Sequence, residues 1–143
     1  MVTMNYKFYT YTIKAESVPV GDLEGHTVGF MTRGSFYVFE SGEVAMVNTI
    51  VTGDLVKGSG PFMQYATINF EDGSTIIIKS QGSIGVAAQA TAGWTSEIIK
   101  GTGRFEGIKG TQSAKAKYLP VEKGEAGPKG YGEGTITYTL PPK

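Results

Sequence analysis

Residues 26–55 read HTVGFMTRGSFYVFESGEVAMVNTIVTGDL, and this stretch predicts a β-hairpin. Two runs rich in aromatic and β-branched residues flank Ser41-Gly42, a dipeptide that suits a two-residue hairpin loop. With that loop, Ser35 lies opposite Asn48 on a face that is otherwise mostly apolar. An apolar wall with a few convergent polar groups is what a small-molecule cavity requires, so the hairpin predicts a candidate site as well as a sheet.

The rest of the chain repeats this pattern of strand-like runs separated by turns. Asp72-Gly73 predicts a second two-residue hairpin loop. No window has a helical period with start and stop signals, although one helical turn near residues 87–90 is compatible with the sequence. The sequence therefore predicts an all-β protein, a single eight-stranded antiparallel β-barrel over residues 1–143, with an open β-sandwich as the alternative. The predicted strands are 4–14, 26–40, 43–55, 62–71, 74–82, 92–100, 110–121 and 131–140.

Composition narrows the classes of function. The 143 residues include 13 basic and 13 acidic side chains, and this net charge of zero gives no basic face for nucleic acid or for an anionic membrane. The chain has no cysteine and one histidine, His26, which argues against disulfides and against a transition-metal site. No segment resembles a signal peptide or a transmembrane helix, so we expect a cytoplasmic protein without a membrane partner. We also expect no cofactor.

The hairpin face supplies the candidate catalytic residues. Asn48, with Arg33 and Tyr37 as near neighbours, would orient a water or a substrate oxygen inside the barrel. Two of them also have a structural interpretation, because a buried Asn is commonly satisfied by backbone or water, and a long Arg side chain can reach the barrel mouth. The candidate ligand-binding residues are apolar or aromatic side chains expected to face inward: Met31, Met46, Ile50, Tyr65, Trp94, Tyr118 and Tyr138.

Three further features bear on function. Trp94, the single tryptophan, fits a barrel plug or an oligomer contact as well as a ligand platform. Lys79 is expected to face outward because a lone buried ammonium is costly, and the predicted pairing then turns Tyr65 inward. The GTGRFEG stretch at 101–107 has the wrong spacing for a dinucleotide fingerprint and no following helix, so it is not expected to hold phosphate.

Several stretches resemble the allene oxide cyclase barrel superfamily. They read VNTIVTGDL at 47–55, INFEDGSTIIIKSQG at 68–82 and KGTGRFEGIKGTQSAKAKYL at 100–119. Within that superfamily, the signatures HTVG, FESGEVA, GSGP, FEDGST and GTGRFEGI are most similar to those of small uncharacterised bacterial members. The resemblance implies an eight-stranded antiparallel barrel with a hydrophobic interior cavity, assembled as a homo-oligomer, either a dimer or a trimer.

The resemblance also bears on chemistry. Asn48 falls on the position of an Asn that holds a water beside the epoxide in the plant cyclases. The carboxylate on their first strand is replaced here by Thr12 or Lys14, and their cavity cysteine has no counterpart, so allene oxide cyclisation itself is not expected. The expected function is binding of a small hydrophobic molecule in the barrel, and the sequence leaves open whether a cofactor-independent cyclisation or isomerisation follows. A non-catalytic, lipocalin-like carrier and a structural oligomer with a packed interior are the alternatives.

Overall fold

The computed structural model describes residues 1–86 and 90–142. Their strands follow one another around a closed antiparallel barrel in chain order, and β8 pairs with β1 to close it, which confirms the predicted fold class. Residues 87–89, where the sequence is compatible with a helical turn, lie outside the described residues. The strands are β1 (Val2–Pro19), β2 (His26–Phe39), β3 (Val44–Val56), β4 (Gly60–Asn69), β5 (Thr75–Val86), β6 (Ala90–Thr102), β7 (Lys109–Leu119) and β8 (Lys129–Thr139), and a 3-10 turn, η1 (Gly103–Phe105), precedes β7.

The hairpin between β2 and β3 has a three-residue loop, residues 40–42, so the two-residue prediction is wrong. The Gly42 N–H donates to Phe39 O at 2.9 Å, and Gly42 has a left-handed φ of 92°. These features are typical of the three-residue hairpin, in which a type I turn is followed by a left-handed residue. Asn48 consequently pairs with Gly34, one residue away from the predicted partner. Because side chains alternate between the two faces of a strand, every side chain of β3 faces opposite to its predicted direction.

The hairpin between β4 and β5 differs from the prediction in the same way. Its loop is residues 71–73, the Gly73 N–H donates to Phe70 O at 3.1 Å, and Gly73 has a φ of 86°. Tyr65 therefore pairs directly with Lys79, and both lie on the outer wall of the barrel. The outward direction predicted for Lys79 is confirmed, whereas the inward direction predicted for Tyr65 is wrong.

Aromatic and branched aliphatic side chains fill most of the interior. The Tyr6 and Tyr37 rings stack at 4.2 Å between centroids, and Phe8 lies 5.7 Å from Trp94. Gly134 of β8 makes room for this cluster, since a Cβ at that position would lie 2.4 Å from Cζ of Tyr6. The interior cavity implied by the resemblance is thus a packed core over most of the barrel's length. The large buried side chains include Tyr6, Phe8, Tyr37, Phe39, Phe62, Ile68, Phe70, Ile76, Ile78, Trp94, Ile98 and Ile136.

One end of the barrel is closed by the connection between β6 and β7. Phe105 of η1 is buried under this end, and the Arg104 guanidinium lies 4.7 Å from the Phe105 ring and 4.9 Å from the Phe70 ring. Arg104 also forms ion pairs with Glu43 at 2.6 Å and with Asp72 at 3.0 Å. Since these two carboxylates belong to the β2–β3 and β4–β5 connections, Arg104 joins three connections across the closed end.

The opposite end of the barrel is open as far as residues 1–86 and 90–142 define it, and a bulge in β1 shapes its rim. The pairing between β1 and β2 shifts by one residue between Thr12 and Lys14. Thr10, before the bulge, is buried, whereas after it Ala15 is the residue that pairs with Met31. A bulge adds one residue to one strand, so the inward-facing residues of β1 are even-numbered before the bulge and odd-numbered after it. The last part of the strand can therefore line the opening.

Candidate ligand-binding site at the open end

A small apolar pocket lies at the open end. Its volume is about 250 Å³, and its lining comes from β1 to β5, with Glu16 as the one charged residue among mostly apolar ones. Larger grooves, such as one of about 660 Å³ that includes Lys7, Lys115 and Glu133, lie on the outer wall between neighbouring strands. The pocket at the open end differs from them because inward-facing side chains of the barrel line it, among them Met31, Val51, Phe62 and Ile84.

The guanidinium of Arg33 lies next to this pocket, behind Met31. Arg33 is buried, with 7% of its surface exposed, and its Nη1 lies 3.5 Å from Sδ of Met31. Its Nε–H donates to Oγ1 of Thr10 at 3.2 Å, and its Nη2 donates to the Pro128 carbonyl at 3.4 Å. The Tyr118 ring lies under the guanidinium, 4.8 Å from Cζ to the ring centroid. Arg33 is therefore a buried cation held by one hydroxyl, one carbonyl, one thioether and one aromatic ring.

The electrostatic environment of Arg33 contains no compensating carboxylate among the residues that the structure describes. Burial lowers the pKa of Arg33, which nevertheless stays charged because a free guanidinium titrates far above neutrality. Burial also raises the pKa of Tyr118, against the opposing effect of the Arg33 charge, so Tyr118 is a neutral phenol. The site thus presents an unneutralised positive charge, which favours an anionic or strongly polar oxygen as its missing partner.

Trp94 lies deeper in the barrel than the pocket, behind the Phe62 ring. It is buried and packs between Phe8, at 5.7 Å, and Phe62, at 6.2 Å, and Phe62 also lines the pocket. Its Nε1–H is a buried donor without a hydrogen-bond partner among the described residues, a situation that costs about 1–3 kcal/mol. The predicted inward position of Trp94 is confirmed, and its fluorescence should report on the pocket.

A chain of buried hydrogen bonds crosses the middle of the core. Ser80 Oγ and Ser96 Oγ lie 2.6 Å apart, Ser96 Oγ donates to Gln112 Oε1 at 2.6 Å, and the Gln112 amide donates to the hydroxyls of Tyr6 and Tyr37. Burial raises the pKa of both phenols, so both are neutral. Tyr37 is inside the barrel as predicted, but it belongs to this satisfied structural network and not to the pocket.

Apart from Tyr37, the predicted site residues separate into three groups. Arg33, Met31 and Tyr118 come together at the open end, with Trp94 beneath them. Tyr138 packs on Phe105 at 5.9 Å and so belongs to the closed end. The placements predicted for the remaining four are wrong because of the two loop lengths described above: Asn48, Met46, Ile50 and Tyr65 are exposed on the outer wall.

The structure adds residues that the sequence did not predict for the site. Val51 and Phe62 line the pocket, and strict alternation in β3 and β4 predicts them once the three-residue loops are recognised. Thr10 and Pro128 contact Arg33 from strand β1 and from the connection before β8. No local sequence pattern predicts these two contacts, because they form only when the barrel closes.

His26 lies at the rim of the open end, where β2 begins as predicted. Its Nδ1 is 2.6 Å from Asp22 Oδ1, and its Nε2 is 2.5 Å from Asp54 Oδ1. The hydrogen bonds to Asp22 and then Asp54 raise the pKa of His26 above 6.5, and the hydrogen bond to His26 lowers the pKa of Asp22. Through these two contacts His26 connects the β1–β2 loop to the end of β3.

We expect this connection to make stability depend on pH. Because the folded-state pKa of His26 is raised, its stabilising effect is fully present below its unfolded value of about 6.5 and is lost as the pH rises through the folded value. The advantage of the wild type over His26→Gln in urea unfolding should thus be larger at about pH 5.5 than at about pH 8.5. An advantage that stays constant or grows with pH would contradict the assignment. The single histidine signal in NMR should titrate above its ordinary value.

Metal and membrane criteria are not met in the described part of the chain. No group of three or more His, Cys, Asp or Glu side chains there could hold a metal ion. The short η1 turn is the helical element in residues 1–86 and 90–142, and nothing helical in these ranges could span a lipid bilayer.

The barrel is similar in fold to barrels of known structure. No protein-family model matches the chain, and no curated protein matches it significantly. The pterocarpan synthase dirigent protein GePTS1 matches with a TM-score of 0.56 and 18% identity, over 98% of this chain and 88% of that one. The structural neighbours of this chain are dirigent proteins. A second one, the pterocarpan synthase dirigent protein PsPTS1, matches with a TM-score of 0.52 and 18% identity, over 94% of this chain and 93% of that one. At this identity the similarity shows a shared eight-stranded antiparallel barrel.

Proposed function

We propose that the protein binds a small, largely apolar molecule at the open end of its barrel and holds an anionic oxygen of that molecule against Arg33. The observation that carries this proposal is a buried guanidinium that has no carboxylate partner among the described residues and lies beside an apolar pocket. A desolvated charge is costly unless it is paired, and a guanidinium binds carboxylate, sulfonate or phenolate oxygens with two parallel hydrogen bonds. An apolar wall with a strong polar anchor is common in small-molecule sites. Here the anchor lies behind Met31, and Glu16, the one charged residue in the lining, is paired with Lys14 at 3.2 Å.

Met31 controls access from the pocket to Arg33. Its thioether lies between the two, and its unbranched side chain can change rotamer at little cost. The pocket volume of about 250 Å³ is below the usual range of roughly 300–1,000 Å³ for drug-sized ligands. A ligand of one or two rings, or a short acyl chain, would fill the apolar part, displace the methionine and reach the guanidinium with its acidic group.

A chemical step on the bound molecule is the second candidate function. Arg33 favours it, because a fixed cation in a desolvated site stabilises negative charge that develops on a substrate oxygen. Proximity alone can contribute about 7–11 kcal/mol to a cyclisation. A cyclisation or isomerisation would agree with the resemblance to allene oxide cyclase barrels and with pterocarpan synthases among the structural neighbours. Tyr118, as a phenol with a raised pKa, would serve as a hydrogen-bond donor to the substrate and is a poor general base.

Binding can be tested with two fluorescent probes that share a ring system. Anilinonaphthalene sulfonate carries an acidic group, and phenylnaphthylamine is the same scaffold without it. Trp94 is the single tryptophan, so energy transfer from it to the probe detects occupancy near the pocket. We expect the sulfonate to bind at least about tenfold more tightly, since a hydrogen bond to a charged group contributes about 1.5–3 kcal/mol.

Two results would contradict the proposal: equal affinity for the two probes, or no energy transfer from Trp94 with either of them. Carrier and catalyst can then be separated with any molecule that native mass spectrometry finds retained on the purified protein. A carrier returns that molecule unchanged after incubation with fresh protein, whereas a cyclase or isomerase converts it to a product of the same mass with a different chromatographic retention time.

A further inference from the structure

The outer wall of strands β1 to β4 carries a continuous apolar surface. Six exposed side chains form this surface, which we call the apolar outer face: Tyr9, Tyr11, Phe36, Met46, Ile50 and Tyr65, exposed by 60, 44, 38, 50, 56 and 46%. The strand register makes them neighbours, because Tyr9 pairs with Phe36, Phe36 with Met46, and Ile50 with Tyr65. Four adjacent strands thus contribute to one surface.

The distribution of polar residues marks this face as unusual for the molecule. Outward positions on β7 from Lys109 to Lys117 are polar or charged, for example Thr111, Ser113 and Lys115. Charged side chains surround the apolar outer face only at its edges, as with Lys7 and Lys79. An apolar centre inside a polar rim is the usual anatomy of a protein–protein interface, whereas single exposed apolar residues need no explanation.

The size of the face fits a stable protein contact. At about 200 Å² for each side chain, the exposed fractions of the six residues amount to on the order of 600 Å². This value lies at the upper end of the largest apolar patches found on monomers, and it approaches the roughly 800 Å² that each partner contributes to a standard interface. Val38 and Met63, exposed by 40 and 36%, extend the same wall.

The centre of the face is flat and holds one amide. Gly34 has no side chain, and the Tyr11 ring covers it, since a Cβ at Gly34 would lie 2.5 Å from atoms of that ring. Asn48 pairs with Gly34 and is exposed beside it. An Asn side chain has both donors and an acceptor, so two copies facing each other across a two-fold axis are self-complementary. A single amide within an apolar interface is a known means of fixing the register of two chains.

We propose that the apolar outer face packs against the same face of a second copy of this chain in a two-fold homodimer, with the two Asn48 amides hydrogen-bonded near the axis. A second copy fits better than an anionic membrane, because the chain has zero formal net charge and the face has no basic residues at its centre. A self-complementary surface also needs no partner of a different composition. In this dimer the Asn48 amide fixes how the two copies are aligned, and it does not contact a ligand.

Sedimentation equilibrium of the full chain tests the proposal. We expect the wild type to have twice the 15.2 kDa chain mass at micromolar concentration. Ile50→Glu should weaken the dimer by at least about a hundredfold, since two buried like charges would lie close to the axis. Asn48→Asp, which changes one amide group to a carboxylate of the same shape, should weaken it by at least about tenfold. Ser113→Glu places the same charge on the opposite wall and should leave the dimer intact.

Each alternative result overturns the proposal. A wild type that is monomeric at these concentrations, including one that binds lipid vesicles instead, lacks the self-contact. A dimer that survives Ile50→Glu uses another surface. A trimer that dissociates with Ile50→Glu would contradict the two-fold arrangement, and an unchanged dimer with Asn48→Asp would remove the amide pair from the axis. Circular dichroism of each variant should show the wild-type β spectrum, because all three substituted side chains are exposed.

Discussion

Replacing Arg33 by Met should abolish the preference for an anionic ligand and at the same time make the protein more stable. The variant loses the positive charge that anchors the sulfonate, so the affinities for the two naphthalene probes should become equal to within about twofold. Its free energy of unfolding should rise by about 1–2 kcal/mol, because an apolar side chain of similar length replaces a buried cation that no carboxylate pairs with in the part of the chain that the structure describes. Probe titration and urea unfolding measure the two effects.

Arg104→Met is the matched control for this prediction. It removes the same charge from the opposite end of the barrel, where Arg104 is half-exposed and has two carboxylate partners. The probe preference should be unchanged, and stability should fall by about 1–2 kcal/mol as two ion pairs and the stacking on two rings are lost. If Arg33→Met kept the preference for the sulfonate, or if both variants lost it equally, Arg33 would not be the anchor.

Phe8→Ala should lower the free energy of unfolding by about 3–5 kcal/mol. Phe8 is 2% exposed and packs against Tyr6, Tyr37 and Trp94 near the middle of the barrel. In a filled core, truncating this ring leaves a cavity and removes its contacts on all sides, and the neighbouring rings can close the gap only in part. Urea unfolding, followed by circular dichroism, gives the difference.

Tyr131→Ala provides the comparison for a ring that does not fill the core. Tyr131 lies on the outer wall of β8 and is 45% exposed, so its truncation should change stability by less than about 1 kcal/mol. A small effect of Phe8→Ala, similar to that of Tyr131→Ala, would mean that the barrel is hollow in solution, with room around Phe8. The pocket at the open end would then be part of a much larger cavity.

The fold was predictable because barrel strands carry their own signals. Alternating runs between glycine-rich turns predict eight strands, and closure in chain order follows from the need to remove sheet edges. The register was not predictable, because Ser41-Gly42 is compatible both with a two-residue loop and with the last two positions of a three-residue loop. Both faces of β3 are largely apolar, so the hydrophobic pattern does not decide between the two registers.

The candidate site was predictable only as far as local register allowed. The alternation in β2 and β7 predicts the inward positions of Arg33, Met31 and Tyr118 correctly. The two-residue loop predicts an inward Asn48, which the register shifts by one residue to the outer wall, where its amide lies among apolar side chains. The partners of Arg33 on β1 and before β8 depend on closure of the barrel, which no local sequence pattern describes.

Three of the sequence signatures on which the resemblance rests supply contacts that close one end of the barrel. FESGEVA at 39–45, FEDGST at 70–75 and GTGRFEGI at 101–108 meet at the closed end, where they supply Glu43, Asp72 and Arg104. HTVG begins with His26, which connects two elements at the rim. A resemblance that rests on such residues therefore supports the architecture. The nature of the ligand has to be inferred from the residues at the open end.

The most direct test is a spectrum of the methionine methyl groups with and without the sulfonate probe. The five methionines report on separate regions: Met31 lines the pocket next to Arg33, Met46 and Met63 are exposed on the outer wall, Met1 precedes β1, and Met4 lies near its start. We predict that saturating probe shifts the Met31 methyl signal and leaves those of Met46 and Met63 unchanged. Shifts confined to Met46 and Met63, with Met31 unaffected, would place the ligand on the outer wall and contradict binding at the open end of the barrel.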